Sequence, residues 1–282
     1  MALIEVDEVV KAFPARRGSL AIMNGITFQV ADNDFLAIVG PSGCGKSTLL
    51  RLLQGLDRPT SGEIRFRGQP VGRVQSEMAM VFQSFALYPW LTVKQNVALG
   101  IEARGWSPDR IEAQIERYIS VTGLVGFEEA YPRELSGGMR QRVGLARALA
   151  VEPAVLLMDE PFSSLDPLTA ESLREEVLQL WQDPALPPEA VLLVTHNIEE
   201  ALSMADRIIV LSHRPSRVLA GVIVNLPRPR DRKSEAFYEL TDYVYSLITE
   251  GGPPATTPSG QGARSGPPAA TGGPGAAPGP GK

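Results

Sequence analysis

Short apolar runs alternate with amphipathic segments along most of the chain, a pattern that predicts strands alternating with helices. The clearest of these runs are Phe35–Val39, Ala79–Phe82, Val155–Met158, Val191–Thr195 and Arg207–Leu211. Buried strands that are joined by helices favour a mostly parallel sheet with both faces covered. The pattern therefore predicts an α/β fold.

Two regions depart from this alternation. The segments Ile4–Val10 and Ile22–Val30 are typical of an antiparallel side sheet. Residues 84–143 contain no convincing strand, and their periodicity predicts the helices Val93–Ala103 and Pro108–Val121. We expect residues 84–143 to form a helical subdomain inserted into the α/β core.

The last part of the chain contains two segments of different composition, with the boundary at residue 250. The segment Ser234–Glu250 predicts a helix that packs one apolar face against the core. That face consists of Phe237, Leu240, Val244, Leu247 and Ile248. From residue 251 to 282, 18 of 32 residues are Gly or Pro, a composition that cannot bury enough apolar surface to order itself. We expect one domain over residues 1–250 and a disordered tail over 251–282.

Charge and cysteine content limit the partners and the cellular compartment that we expect for this protein. The net charge is −5, which does not suggest a nucleic-acid partner. The single cysteine, Cys44, cannot form an internal disulfide and is compatible with a reducing cytosol. No secretion signal or apolar run of membrane-spanning length is present in the sequence. Any role at a membrane is therefore expected to depend on a partner.

The strongest motif follows the apolar run that ends at Val39 and fits G-x-x-x-x-G-K-[ST]. It comprises Gly40, Pro41, Ser42, Gly43, Cys44, Gly45, Lys46, Ser47 and Thr48. A glycine-rich turn before a helix points successive N–H groups at a phosphate, and the helix dipole favours the same anion. Lys46 is expected to reach the β- and γ-phosphates of ATP, and the Ser47 hydroxyl to ligate Mg²⁺. Cys44 is either a small filler or a thiol activated by the helix terminus.

A second motif places Asp159 and Glu160 directly after the apolar run Val155–Met158. Ligands bind at the carboxyl ends of the strands in open α/β sheets. Asp159 is suited to hold Mg²⁺, and Glu160 is suited to polarise the water that attacks the γ-phosphate. An apolar run before two carboxylates is a weak signal alone, but the phosphate loop upstream strengthens it.

A third motif, LSGGMRQR over residues 135–142, places Ser136 only 23 residues before Asp159. With this motif, residues 1–230 resemble the ABC ATPases. The resemblance implies a P-loop NTPase core of the ABC ATPase type, with an antiparallel side sheet and an inserted helical subdomain. It also implies a homodimer in which Ser136, Gly137 and Gly138 of one subunit contact the ATP bound by the other. Without the resemblance, Ser-Gly-Gly could be a helix-capping turn.

The same resemblance implies roles for several further residues. Gln83 corresponds to a glutamine that senses Mg²⁺ and the attacking water, and His196 to a histidine that contacts the γ-phosphate. Residues 163–166 (SSLD) resemble the loop that communicates across the dimer, although Asp166 is also a normal helix cap. Phe13, 27 residues before Gly40, either stacks on adenine or belongs to the core.

Peripheral segments resemble those of importers. Residues 85–97 (FALYPWLTVKQNV) resemble the stretch that receives a permease's coupling helix, with Tyr88 and Trp90 as anchors or, alternatively, as local core. Residues 194–230 resemble the nitrate, taurine and aliphatic-sulfonate importer branch, and importers of bicarbonate and of thiamine-precursor pyrimidines are also similar. The resemblance implies ATP hydrolysis at the cytoplasmic face of the membrane, with permease subunits and, indirectly, a solute-binding protein as partners. The alternatives are a lipid or export system and a non-transport ABC ATPase.

Overall fold

The computed structural model describes residues 2–16, 18–183 and 188–251. The strands in chain order are β1 (Ala2–Pro14), β2 (Ser19–Ala31), β3 (Asp34–Val39), β4 (Ser61–Phe66), β5 (Gln69–Pro70), β6 (Met78–Val81), β7 (Val155–Asp159), β8 (Ala190–Thr195), β9 (Arg207–Leu211) and β10 (Val218–Ile223). The helices are α1 (Lys46–Leu53), α2 (Val93–Glu102), α3 (Pro108–Val121), α4 (Gly137–Ala150), α5 (Pro167–Gln182), α6 (Ile198–Met204) and α7 (Glu235–Glu250), with a short 3₁₀ turn at Pro132–Glu134.

The central sheet has the strand order β10-β9-β3-β8-β7-β6. All its neighbours are parallel except β10, which runs antiparallel to β9 at one edge. The five predicted apolar runs all form strands of this sheet, with ends that move by no more than one residue. Strands β1, β2, β4 and β5 form a separate antiparallel sheet in the order β2-β1-β4-β5. The predicted side sheet is thus present, and it is wider than expected.

Alternate residues of the central strands supply two apolar cores, which explains why the strands read as continuous apolar runs. In β3, Phe35, Ala37 and Val39 join a core shared with helices α2 to α7. The residues between them, Leu36 and Ile38, join a second core with α1 and the side sheet. The central sheet is therefore covered on both faces, by helices on one side and by α1 and the side sheet on the other.

Helices α2, α3 and α4 pack against one another in the region where the sequence predicts a helical subdomain. Thr92 and Gln95 form a reciprocal capping box at the start of α2. Ser107 directly precedes α3 and Pro108 lies in its first turn, and the Ser107 side chain makes no capping hydrogen bond. Helix α4 continues to Ala150 and also contacts β6, so it connects the helical region to the sheet.

Helix α7 packs against α6, β9 and β10. The face predicted to be apolar is the buried one: Phe237, Leu240, Val244 and Leu247 are buried, and Ile248 packs beside them. The predicted disordered tail lies outside the described residues apart from Gly251. No helix in the described part of the chain is long and apolar enough to cross a bilayer.

Candidate active site

The phosphate loop connects β3 to α1 and depends on glycine at two points. Gly43 and Gly45 have φ angles of 77° and 107°, in the left-handed region that favours glycine. A Cβ at Gly45 would also lie 2.6 Å from Cγ2 of Ile22. The loop therefore turns tightly against β2, and α1 begins with its N–H groups beside the turn.

Lys46 lies inside this loop with only 5% of its surface exposed. Its Nζ donates to the carbonyl oxygens of Gly40 (2.9 Å) and Pro41 (3.2 Å). The same nitrogen lies 3.9 Å from Oε1 of Glu160. The loop thus holds a buried cation near the Glu160 carboxylate, which directly follows the end of β7.

Cys44 packs as a small apolar side chain. It is buried, and its Sγ would lie 3.2 Å from a Cβ built on Gly40. Burial raises the pKa of the thiol, and the nearby Lys46 only partly offsets this rise. The structure favours the filler interpretation of Cys44 over an activated thiol.

Ser47 and Asp159 meet at the start of α1 and the end of β7. The Ser47 hydroxyl donates to Oδ1 of Asp159 at 2.7 Å. Burial raises the pKa of Asp159, and the Ser47 hydrogen bond opposes that rise. A cation at this place would stabilise the carboxylate, because it would replace part of the solvation that burial removes.

Glu160 is held between two neighbouring strands. Its Oε2 lies 3.1 Å from Nδ1 of His196, and its backbone N–H donates to the carbonyl of Val194 at 2.9 Å. His196 follows the end of β8 with about half of its side chain exposed. The parallel pairing of Asp159 with Val194 sets the two strand ends side by side, and this explains how Glu160 and His196 meet.

Gln83 joins the same cluster through a serine. Its Nε2 donates to Oγ of Ser163 at 3.1 Å, and Ser163 Oγ in turn donates to the carbonyl of Glu160 at 2.9 Å. The structure therefore brings Lys46, Ser47, Gln83, Asp159, Glu160 and His196 into one connected group. Ser163 is a member that the sequence analysis did not assign to this group.

The segment Ser136–Gly138 starts α4 at a different place. Ser136 caps the helix by accepting from the N–H of Met139 at 3.2 Å. A Cβ at Gly138 would lie 2.4 Å from Cγ2 of Thr169, at the start of α5. Within the described residues, the hydrogen bonds and close approaches of this segment are with α4 and α5 rather than with the phosphate loop.

Phe13 lies at the end of the β1–β2 hairpin, where it pairs with Leu20. It is 38% exposed, so it is not a core residue, and Nζ of Lys11 lies 4.7 Å from its ring centroid. Ile22, two residues beyond Leu20, contacts the phosphate loop at Gly45. The hairpin thus carries an accessible aromatic ring at the same end as the loop.

An exposed aromatic pair lies between Gln83 and α2. Tyr88 and Trp90 are 45% and 68% exposed, and their ring centroids are 5.3 Å apart. The buried Asn96 accepts from the N–H of Tyr88 and donates to three carbonyls of the loop. The pair is therefore a rigidly supported surface feature, and the alternative of local core packing is wrong.

Comparison with known proteins decides the family. A family model described as ABC transporter matches residues 23–163, a range that includes the phosphate loop, Gln83, the Ser136 segment and Glu160. The chain belongs to the ABC transporter family.

Relatives within this family agree with the branch expected from the sequence. The chain is 42% identical to a nitrate import ATP-binding protein of Synechocystis sp., over 87% of this chain and 94% of that protein. It is 37% identical to an aliphatic sulfonates import ATP-binding protein of Bacillus cereus, over 88% and 97%. A solved dimeric ATP-binding cassette bound to ADP and phosphate superposes with a TM-score of 0.70 at 28% identity, over 79% of this chain and 99% of that one.

The sequence analysis did not predict the contacts of three residues around this ABC ATPase site: Ser163, Asn96 and Arg147. The last donates to the carbonyls of Phe85 and Ala86 at 3.1 and 2.7 Å. The capping-box pattern of Thr92 and Gln95 could have placed Asn96 in the first turn of α2. No sequence signal identifies Gln83 as a partner of Ser163, or the partners of Arg147, because these pairs are 80, 61 and 62 positions apart in the chain.

Proposed function

We propose that this chain is the ATP-binding and ATP-hydrolysing subunit of an ABC importer. The observation that carries the proposal is the position of the Glu160 carboxylate, which lies between Nζ of Lys46 and Nδ1 of His196. A carboxylate at the mouth of a phosphate loop is placed to accept a proton from water beside a bound triphosphate. We propose that residues 1–250 form the ATPase domain, with residues 84–143 as its helical subdomain and 251–282 as a disordered tail.

Nucleotide binding is assigned to the phosphate loop and the hairpin. The backbone N–H groups of residues 42–48 cradle the phosphates, and Lys46 supplies the counter-charge. Phe13 supplies an exposed ring for the adenine. These roles follow from the left-handed glycines of the loop, the burial of Lys46 and the accessibility of Phe13.

Mg²⁺ fits the oxygen atoms that meet at the start of α1. Among the described residues, no group of three or more His, Cys, Asp or Glu side chains could hold a metal alone. Mg²⁺ commonly uses one or two protein oxygens and completes its shell with phosphate and water. Ser47, Asp159 and Gln83 would hold it, and when bound it would neutralise charge on the phosphates.

For hydrolysis, we assign Glu160 as the general base and His196 as the residue that orients it. The water oxygen forms a bond to the γ-phosphorus, the water proton passes to the Glu160 carboxylate, and the bond to the β–γ bridging oxygen breaks to release ADP. His196 holds Oε2 of Glu160 from the neighbouring strand. Gln83 approaches the same residue through Ser163.

Dimerisation explains the segment Ser136–Gly138. A helix N-terminus with two glycines is suited to bind an anion, yet in this chain it contacts α5 instead of the phosphate loop. We therefore assign it to the γ-phosphate held by a second copy, so that each ATP lies between two chains. The superposition on a dimeric cassette bound to ADP and phosphate supports this arrangement.

The exposed pair Tyr88 and Trp90 is the docking surface that we assign to a separate membrane permease. Aromatic side chains are typical anchors for a helix that lies in a groove, and the pair is supported from α2 through Asn96. The subunit would then act at the cytoplasmic face of the membrane, with a solute-binding protein as an indirect partner. The nitrate and aliphatic-sulfonate relatives favour a small anion as cargo.

Co-purification tests this assignment. A Glu160→Gln variant, isolated from native membranes in the presence of ATP, is expected to bring a multi-span permease with it. The triple variant that also carries Tyr88→Ala and Trp90→Ala is the matched control and should lose the permease while still binding ATP. Recovery of only soluble partners by the first variant would contradict the importer assignment.

A further inference from the structure

Glu160 has an unusual backbone conformation at the centre of the site. Its φ angle is 47°, in the left-handed region that a residue with a Cβ seldom adopts. Such a conformation persists only where neighbouring groups hold it, and it is often found at functional sites. On one side, the N–H of Glu160 is held by the carbonyl of Val194.

Ser163 holds the other side of Glu160. Its hydroxyl donates to the carbonyl of Glu160 at 2.9 Å and accepts from Nε2 of Gln83 at 3.1 Å. An amide nitrogen can only donate, and a hydroxyl has one proton. The Ser163 proton is therefore directed at Glu160, while its lone pair is directed at Gln83.

The segment that carries Gln83 is held at both ends. Ser164 Oγ donates to the carbonyl of Gln83 at 3.4 Å. Two and three residues later, Arg147 binds the carbonyls of Phe85 and Ala86, which both have positive φ angles. The exposed docking pair follows directly. A continuous series of hydrogen bonds therefore joins the loop before α2 to the backbone of Glu160.

We infer that Ser163 is a positioning residue for hydrolysis. Its hydroxyl fixes the backbone conformation of Glu160 when Gln83 is in place. The inference rests on the proposed function and deepens it. Ser163 does not contact the reacting atoms. When the segment 83–86 moves, the hydroxyl loses its donor from Gln83 and is no longer fixed on the carbonyl of Glu160. That carbonyl then keeps only the longer hydrogen bond from the backbone N–H of Ser163, at 3.3 Å.

The first test uses the purified full chain with Ser163→Ala. Losing a hydrogen bond that orients the base is expected to lower kcat about tenfold, with little change in KM for ATP or in Tm. Ser163→Thr keeps the hydroxyl and should restore most of the turnover. The matched control is Ser246→Ala on α7, since Ser246 also donates to a carbonyl three residues earlier, at 2.8 Å. A fall in Tm together with an unchanged kcat for Ser163→Ala would overturn the inference.

The second test measures coupling. If Gln83 acts through Ser163, the effects of Gln83→Ala and Ser163→Ala on kcat will not add in the double variant. Additive effects would overturn the inference.

A third measurement does not depend on ATP hydrolysis. Amide hydrogen exchange of the nucleotide-free chain should become faster over residues 83–87 in Ser163→Ala but not in Ser246→Ala. Unchanged exchange over residues 83–87 would overturn the inference. If the wild-type chain lacks ATPase activity, the proposed function fails, and this exchange measurement still decides whether Ser163 positions the segment.

Discussion

The Oε2 atom of Glu160 lies 3.1 Å from Nδ1 of His196, although the two residues are 36 positions apart in the chain. Parallel pairing of β7 with β8 sets this distance, because Asp159, the last residue of β7, lies opposite Val194, two residues before His196. The carboxylate also faces Lys46. The sheet thus positions the Glu160 carboxylate between the phosphate loop and the imidazole of His196.

Removing that imidazole should impair hydrolysis more than binding. His196→Ala is expected to lower kcat by about 100-fold, because Glu160 would lose the group that orients its carboxylate. ATP affinity should change little, since Lys46 and the loop remain. Phosphate release and equilibrium ATP binding measure the two effects.

The other histidine provides the control for this experiment. His213 is exposed in the loop after β9, and His213→Ala should retain wild-type turnover. Equal losses in the two variants, or a loss of ATP affinity in His196→Ala alone, would contradict the assigned role.

Phe13 should contribute to binding of the base rather than of the phosphates. Phe13→Ala is expected to weaken ATP binding by about tenfold, because the adenine would lose an aromatic partner. Phe13→Tyr should retain the affinity. Inorganic triphosphate, which has no base, should bind Phe13→Ala and the wild type equally well. Equal weakening for ATP and inorganic triphosphate would refute the stacking assignment.

The segment Ser136–Gly138 should act on the nucleotide bound by the second copy. Ser136→Glu places a carboxylate where the γ-phosphate of the second copy is expected, and like charges repel. ATP-driven dimerisation and turnover should be lost, while each monomer still binds ATP. Ser234→Ala, which removes the capping hydroxyl of α7, controls for the loss of a helix cap. A Ser136→Glu chain that still dimerises with ATP would exclude the assigned contact.

Glu176 should make stability depend on pH. It lies on α5 with Oε2 2.9 Å from Arg142 of α4, and burial raises its pKa from 4.5 to about 7. Between these values the folded chain keeps a proton that the unfolded chain releases, so stability falls as pH rises. The shift corresponds to a loss of up to about 3 kcal/mol, complete above about pH 7.

Denaturant unfolding at about pH 5 and about pH 8 measures this loss. The free energy of unfolding of Glu176→Gln should fall less between the two conditions than that of the wild type. Glu175→Gln, which alters the exposed neighbouring side chain, should behave as the wild type does. An identical pH dependence in Glu176→Gln and wild type would contradict the shifted pKa.

The sequence predicted those parts of the fold that depend on local pattern. Val191–Thr195 and the other buried strands are apolar on both faces, so they read directly as strands. Strand β4 was missed because Ser61–Phe66 is largely polar and half of its residues are exposed. Strand β10 was missed although Val218–Ile223 is apolar in composition, because a short apolar run does not by itself show that it pairs at a sheet edge.

Sequence motifs predicted the candidate site residues. They did not predict the hydrogen bonds that join those residues to one another. Lys46, Ser47, Asp159 and Glu160 lie in short patterns with a direct physical reading. The contact between Gln83 and Ser163 joins residues that are 80 positions apart, so it depends on the finished fold. The left-handed conformation of Glu160 also has no sequence signal, since glutamate is not a residue that favours it.

The central claim is that Glu160 activates the attacking water while other groups bind ATP. The most direct measurement compares wild type and Glu160→Gln for phosphate release, ATP affinity and oligomeric state by size-exclusion chromatography with ATP. The variant should lose most of its turnover, keep its ATP affinity and accumulate as a dimer, because the phosphate contacts of Lys46 and the loop remain. Turnover close to that of the wild type would contradict the account.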